Sequence, residues 1–191
     1  MTDTTATSAD TTGPAGSVLV AYSSRHGSTA SIAERIAARL RTAGLTVDCR
    51  PMGEVSEVSG HSAVVLGSAL HDQAWLPEAM AFLARFSATL DPLPLWLFTV
   101  GMPGALPRRL QGWARMEEGE TAVKLAPLVH PRGHHLFSGA IHKKHLSRTG
   151  RVKFRMMGGR YGDFRDWAEI DGWADSVAAE VRSPGSHRAP A

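Results

Sequence analysis

The chain has 191 residues, 43% hydrophobic and 20% charged, values ordinary for one globular domain and far from those of a disordered polymer. A single cysteine, Cys49, excludes an internal disulfide framework and any multi-cysteine zinc or iron–sulfur centre. The net charge of +3 conceals an asymmetry: Thr121 to Tyr161 holds nine Lys and Arg residues and no carboxylate, which leaves the rest of the chain at −6. A basic segment on an acidic body suits an anionic partner.

Residues 1–17 are rich in Thr, Ala, Ser, Asp and Gly and have neither the basic nor the apolar region of a signal peptide, so a disordered tail is expected there. A second tail is expected at 183–191, with the folded domain at 18–182 and the cytoplasm as its location. Val18–Tyr22 is a continuous apolar run, and Ile32, Ile36 and Leu40 then recur at helical spacing up to Gly44. Leu45–Cys49 reads as a second strand and Ser62–Gly67 as a third. A helix carrying Leu76, Met80, Leu83 and Phe86 follows, and then a fourth strand at Leu93–Val100. A weaker helical stretch spans Gln111 to Leu128, and His134–Ile141 reads as a fifth strand. The basic stretch His142 to Tyr161 fits neither period and reads as an insertion before the last helix. That helix starts near Asp166, with Asp166 and Glu169 at capping-box spacing and Trp167, Ile170, Trp173, Val177 and Val181 on one face. Trp96, Trp113, Trp167 and Trp173 are expected in core or packing roles, and Cys49 as a small buried hydrophobe.

Strands that are apolar throughout are buried on both faces, and their alternation with helices predicts an α/β, doubly wound parallel sheet. Ligands of such sheets sit at the carboxyl ends of the strands, so the loops after strands one, three and four hold the candidate site. The first loop reads Ser24-Arg25-His26-Gly27-Ser28-Thr29. Gly27 permits a tight turn, the hydroxyl residues supply donors, and the following helix presents its amides and the positive end of its dipole, which together make a phosphate cradle. The loop is neither a Walker A sequence nor a GxGxxG fingerprint.

This loop resembles that of the flavodoxin-like family, in which a strand is followed by Ser/Thr-x-Thr-Gly-x-Thr and a helix. The likeness extends over residues 18–181 and looks closest to the branch containing the menaquinone-dependent protoporphyrinogen dehydrogenases, through YSSRHGST, VVLGSALHD, FTVGMP, FSGAIHKKHL and GDFRDWAEIDGWA. It implies five parallel strands in the order 2-1-3-4-5. It also implies FMN, its phosphate on Ser24, Arg25, His26, Gly27, Ser28 and Thr29, and its ring between Ser68, Ala69, Leu70, His71 and Val100, Gly101, Met102. The branch oxidises a reduced tetrapyrrole and passes electrons to a quinone; flavodoxin-type electron transfer without a substrate of its own is the alternative. His71 is the candidate proton donor near the ring. The ring walls carry no aromatic residue until Trp75, which is placed either to stack on a ring or to pack the helix start.

Other readings fail on residues. A phosphoreceiver domain of similar topology needs carboxylates at the ends of strands one and three, where this chain has Tyr22-Ser23 and Gly67-Ser68. No metal site is expected from His130, His134, His135, His142 and His145, since His134 and His135 point to opposite faces of a strand. Phe154 and Tyr161 are too few aromatics for a nucleic-acid platform. Val152, Phe154, Met156 and Met157 among Arg151, Lys153 and Arg155 suit an anionic membrane surface, so peripheral contact through residues 142–160, where a quinone resides, is expected.

Overall fold

A computed structural model of the chain describes residues 17–71, 74–107, 112 and 124–183. Five parallel strands form its sheet: β1 (Ser17–Ser23), β2 (Thr46–Pro51), β3 (Ala63–His71), β5 (Leu95–Gly101) and β6 (Gly133–Ser138). Their order is β2-β1-β3-β5-β6, and a two-residue strand, β4 (Ala74–Trp75), folds back antiparallel on β3. Without that hairpin strand, the order is the 2-1-3-4-5 expected from sequence. The first strand begins at Ser17, a residue assigned to the tail in sequence, and pairs from there with Thr46.

The apolar runs divide residue by residue between two cores, as the two-residue period of a strand requires. Val18 and Val20, Ala63 and Val65, and Trp96 and Phe98 enter one core. There they meet Ile32, Ile36 and Leu40 of helix α1 (Ser28–Thr42) and Ile170, Ala174 and Val177 of the last helix, α4 (Trp167–Arg182). Leu19 and Ala21, Val64 and Leu66, and Leu95 and Leu97 enter the other, against Ala79, Phe82, Leu83 and Phe86 of α2 (Pro77–Leu90), Leu125 and Val129. Gly67 lies under Phe98: a Cβ there would fall inside the phenyl ring, so the close approach of β3 and β5 side chains requires glycine. The helical stretch expected at Gln111 to Leu128 lies mostly outside the described residues, as do Trp113 and both tails apart from Ser17 and Ser183.

At three places the structure differs from the sequence reading or sharpens it. The fifth strand is two pieces: β6 ends at Ser138, and β7 (Ala140–Ile141) leaves the sheet to pair antiparallel with β8 (Gly162–Asp163). The basic insertion is ordered as a strap containing a 3-10 turn (Lys143–His145) and a helix, α3 (Arg148–Met156). The Ser147 hydroxyl accepts from the Gly150 amide at the start of that helix. Of the two roles expected for Trp167, it takes packing at the surface: it is 38% exposed, with the Arg165 guanidinium 4.7 Å over its ring.

Phe154 is corrected with the strap. Two residues turn a helix by about 200°, so Phe154 and its neighbours Val152 and Met156 face opposite ways. Phe154 is buried with Ala105, Leu106 and Ile141 in a small core of the strap's own, whereas Val152 and Met156 are exposed.

Candidate functional site

The first loop ends on Gly27, whose φ of +87° is left-handed. Ser24 Oγ accepts a hydrogen bond from the Gly27 amide at 3.1 Å and folds the loop back on itself. Helix α1 then begins with no side-chain cap and no acidic residue in its first turn. Helix α4 is the contrast: Asp166 Oδ1 accepts from the Ala168 and Glu169 amides at 3.0 and 3.1 Å. The expected capping box there is half made, because the Glu169 carboxylate accepts from His135 Nε2 at 3.0 Å instead. An uncapped helix N-terminus beside a left-handed glycine presents unused donors and positive potential.

The hydroxyl residues of the loop divide their work. Thr29 is buried at the base of the loop. Ser28 Oγ accepts from the Ala140 amide at 2.9 Å, which ties the strap to the loop; among the described residues its own proton has no acceptor. The Gly139 amide donates to Gly101 O at 3.0 Å, so the strap leaves the sheet between the first and third loops.

Arg25 and His26 reach in two directions. Arg25 Nη1 donates to His71 Nε2 at 3.1 Å and joins the first loop to the end of β3. A guanidinium has no lone pair to offer, so the imidazole accepts at Nε2 and carries its proton at Nδ1. The His26 ring lies flat on the His145 ring of the strap, with centroids 4.1 Å apart and planes 2° from parallel. Both imidazoles titrate below the ordinary value. The causes at His26 are burial, then Arg25, His71 and Lys144; at His145 they are burial, then His26, His142 and Lys144.

The second and third loops are built differently from the first. Ser68 is fully buried, and its hydroxyl donates to Ala69 O and accepts from the Leu76 amide. It shapes the loop from beneath. Val100 is likewise buried in the core. The groups left open at the strand ends are Ala69 and Leu70, half-buried, His71, Gly101 and Met102, the last 43% exposed. Trp75 takes its packing role: it is 3% exposed, and Nε1 donates to Thr99 Oγ1 at 2.8 Å. Thr99 Oγ1 is in turn hydrogen-bonded to His134 Nε2 at 2.7 Å. Burial, then His135, pushes the His134 pKa down to about 4.

The donor set fits a phosphorylated ligand with a flat apolar ring. Uncapped amides, the Ser28 hydroxyl and Arg25 belong to the first loop and the start of α1, and Leu70 and Met102 stand at the ends of β3 and β5. No group of three His, Cys, Asp or Glu residues able to hold a metal occurs among the described residues. Sequence reasoning missed the strap contacts of Ala140 and His145 with the loop, since they join residues more than 100 positions apart. The nearest signal was the FSGAIHKKHL segment that contains both.

The family model of the flavodoxin domain matches residues 19–166. Among solved structures, a variant of a flavodoxin from Pseudomonas aeruginosa is 14% identical, with a TM-score of 0.55 over 87% of this chain and 99% of that one. A flavodoxin from the domain Archaea is 15% identical, with a TM-score of 0.53 over the same shares. The rubredoxin oxygen:oxidoreductase of Desulfovibrio gigas is 16% identical, with a TM-score of 0.55 over 92% of this chain, which spans only 38% of that protein. No curated protein matches the sequence. The chain belongs to the flavodoxin-domain family, a flavin-binding redox fold, and FMN is its cofactor.

Proposed function

We propose that the protein is an FMN-dependent oxidoreductase that oxidises a reduced organic substrate, protoporphyrinogen IX or a related tetrapyrrole, and passes the electrons to a quinone. The observation that carries this reading is the strap. Ser28 and His26 hold it against the first loop, and it carries Lys143, Lys144, Arg148, Arg151, Arg155 and Arg160, all of them exposed. Carboxylate-bearing substrates are drawn to such a surface.

When bound, FMN supplies the redox chemistry, and the protein binds and orients it. In this reading Gly27, Ser28 and Thr29 hold the phosphate with the α1 amides, with Ser24 and Arg25 shaping and charging the loop. Leu70 and Met102 exclude water from the two sides of the ring. His71, with its proton on Nδ1, is the candidate proton donor. Val152 and Met156 on the outer face of α3 meet the membrane surface in which a quinone acceptor resides.

The test is anaerobic mixing of FMN-loaded protein with protoporphyrinogen IX. Bleaching of the visible flavin band, reversed by a menaquinone analogue, is the expected result. Absence of bleaching overturns the substrate and leaves the second reading, a flavodoxin-type electron carrier. The −6 charge outside the basic segment favours that alternative.

A further inference from the structure

The His26–His145 stack joins the two elements that meet at the cofactor's phosphate end, the first loop and the strap. One ring stands directly before Gly27; the other closes the 3-10 turn of the strap. The His142 amide donates to His145 Nδ1 at 3.5 Å, which places that ring's proton on Nε2. The His142 ring stands edge-on to His145 at 5.1 Å.

We propose that this stacked pair is a proton-linked latch: a proton enters it when the phosphate of FMN settles in the first loop, and the charged pair then grips the phosphate and holds the strap over it. This rests on the first loop being the phosphate site.

The charges around the pair carry the argument. Arg25 and His71 approach His26 from the loop and from β3, and Lys144 and His142 approach from the strap. The carboxylate of Asp163 of β8, on which His142 acts, is already held by the Arg165 guanidinium. Among the described residues, burial comes first and the charged neighbours that act on the two rings are cations or other imidazoles, so a proton on either ring is disfavoured. A phosphate near two negative charges reverses the sign of that field. The same rings then favour the charged form, so binding and protonation reinforce each other.

The sign fixes the pH window. The free pair titrates below the ordinary histidine value, and the loaded pair titrates above its own free value. Affinity for FMN therefore rises as pH falls between those two values, by up to tenfold per pH unit for one proton. It levels off below the free value, and protonation of the phosphate itself, near pH 6, opposes the rise.

The test is calorimetry near neutral pH in buffers of different ionisation enthalpy, with FMN and riboflavin as the two probes. The expected result is uptake of up to one proton per FMN and none with riboflavin, which has no phosphate. His26→Asn and His145→Asn should each bind FMN more weakly and without that uptake. His26 is exposed and His145 half-buried, so unchanged thermal unfolding should accompany both substitutions. FMN binding without proton uptake, or uptake that persists in both variants, overturns the latch and leaves the phosphate site standing. Absence of FMN binding to the unaltered protein overturns both.

Discussion

At the scale of single residues, Ser28 holds more together than its place in a loop suggests. Its oxygen accepts from the Ala140 amide, and its proton points to the phosphate in the function proposed above. Ser28→Ala should weaken FMN by about 1.5–3 kcal/mol, the worth of a hydrogen bond to a charged group. It should also lower the thermal midpoint, because Ala140 loses its acceptor. Titration and melting of the same variant check both, and an unchanged FMN affinity would contradict the assignment of Ser28. Cys49 shows the opposite case. It is half-buried on the edge strand β2, and burial pushes its thiol pKa up to about 11. At neutral pH it carries little thiolate, so reaction with a thiol reagent should be much slower than for a free cysteine.

At the scale of elements, the strap is where sequence and structure part. Its helix α3 is nine residues long, and Phe154 alone of its apolar side chains is buried to 5%. Short helices of this kind depend on tertiary packing, and that packing comes from Ala105, Leu106 and Ile141, distant in sequence. Periodicity over so few residues could not have separated Phe154 from Val152 and Met156. The outward pair, 61% and 84% exposed, stands beside Arg148 and Thr149 along an open groove. If this face meets an anionic bilayer, each nearby arginine contributes about 1 kcal/mol. Val152→Asp with Met156→Asp should then reduce co-sedimentation with phosphatidylglycerol-rich vesicles several-fold, and salt should weaken the binding of the unaltered protein. Equal sedimentation of the double variant would refute the membrane face.

The sheet was far more legible than the strap. Its central strands β1, β3 and β5 are buried on both sides over most of their length, so each leaves a largely apolar run and stands within a few residues of the sequence reading. The break at Gly139 left no such trace, because the hydrogen bonds that turn the chain out of the sheet come from Gly101 and Ser28. The first loop was legible through Gly27 and its hydroxyl residues. The His26 stack and the Arg25–His71 bond were not, since no local pattern encodes them.

At the scale of the whole molecule, the chain has a built-in sensitivity to acid. His134 links β6 to Thr99 of β5, which in turn receives the Trp75 indole beside α2. Its pKa is about 4 when folded, against 6.5 for an ordinary histidine. Between those values the unfolded chain binds the additional proton. Stability is therefore complete above pH 6.5 and falls as pH drops towards 4, by about 3 kcal/mol at most from this group. Urea midpoints across that range should fall less steeply for His134→Gln than for the unaltered protein; equal slopes would refute the role of His134. No described helix is long and apolar enough to cross a membrane, and the strap face on α3 lies outside both sheet cores.

The central claim is that the loop between β1 and α1 holds the phosphate of FMN. It is tested most directly by visible absorption during titration of the purified protein with FMN, beside the Gly27→Val variant. Gly27 has φ +87° and nothing within 4 Å of a Cβ position, so valine strains this backbone without crowding a neighbour. The unaltered protein should saturate with a perturbed flavin spectrum, and the variant should bind far more weakly. No spectral change at tens of micromolar FMN, or equal binding by the two proteins, would contradict the account.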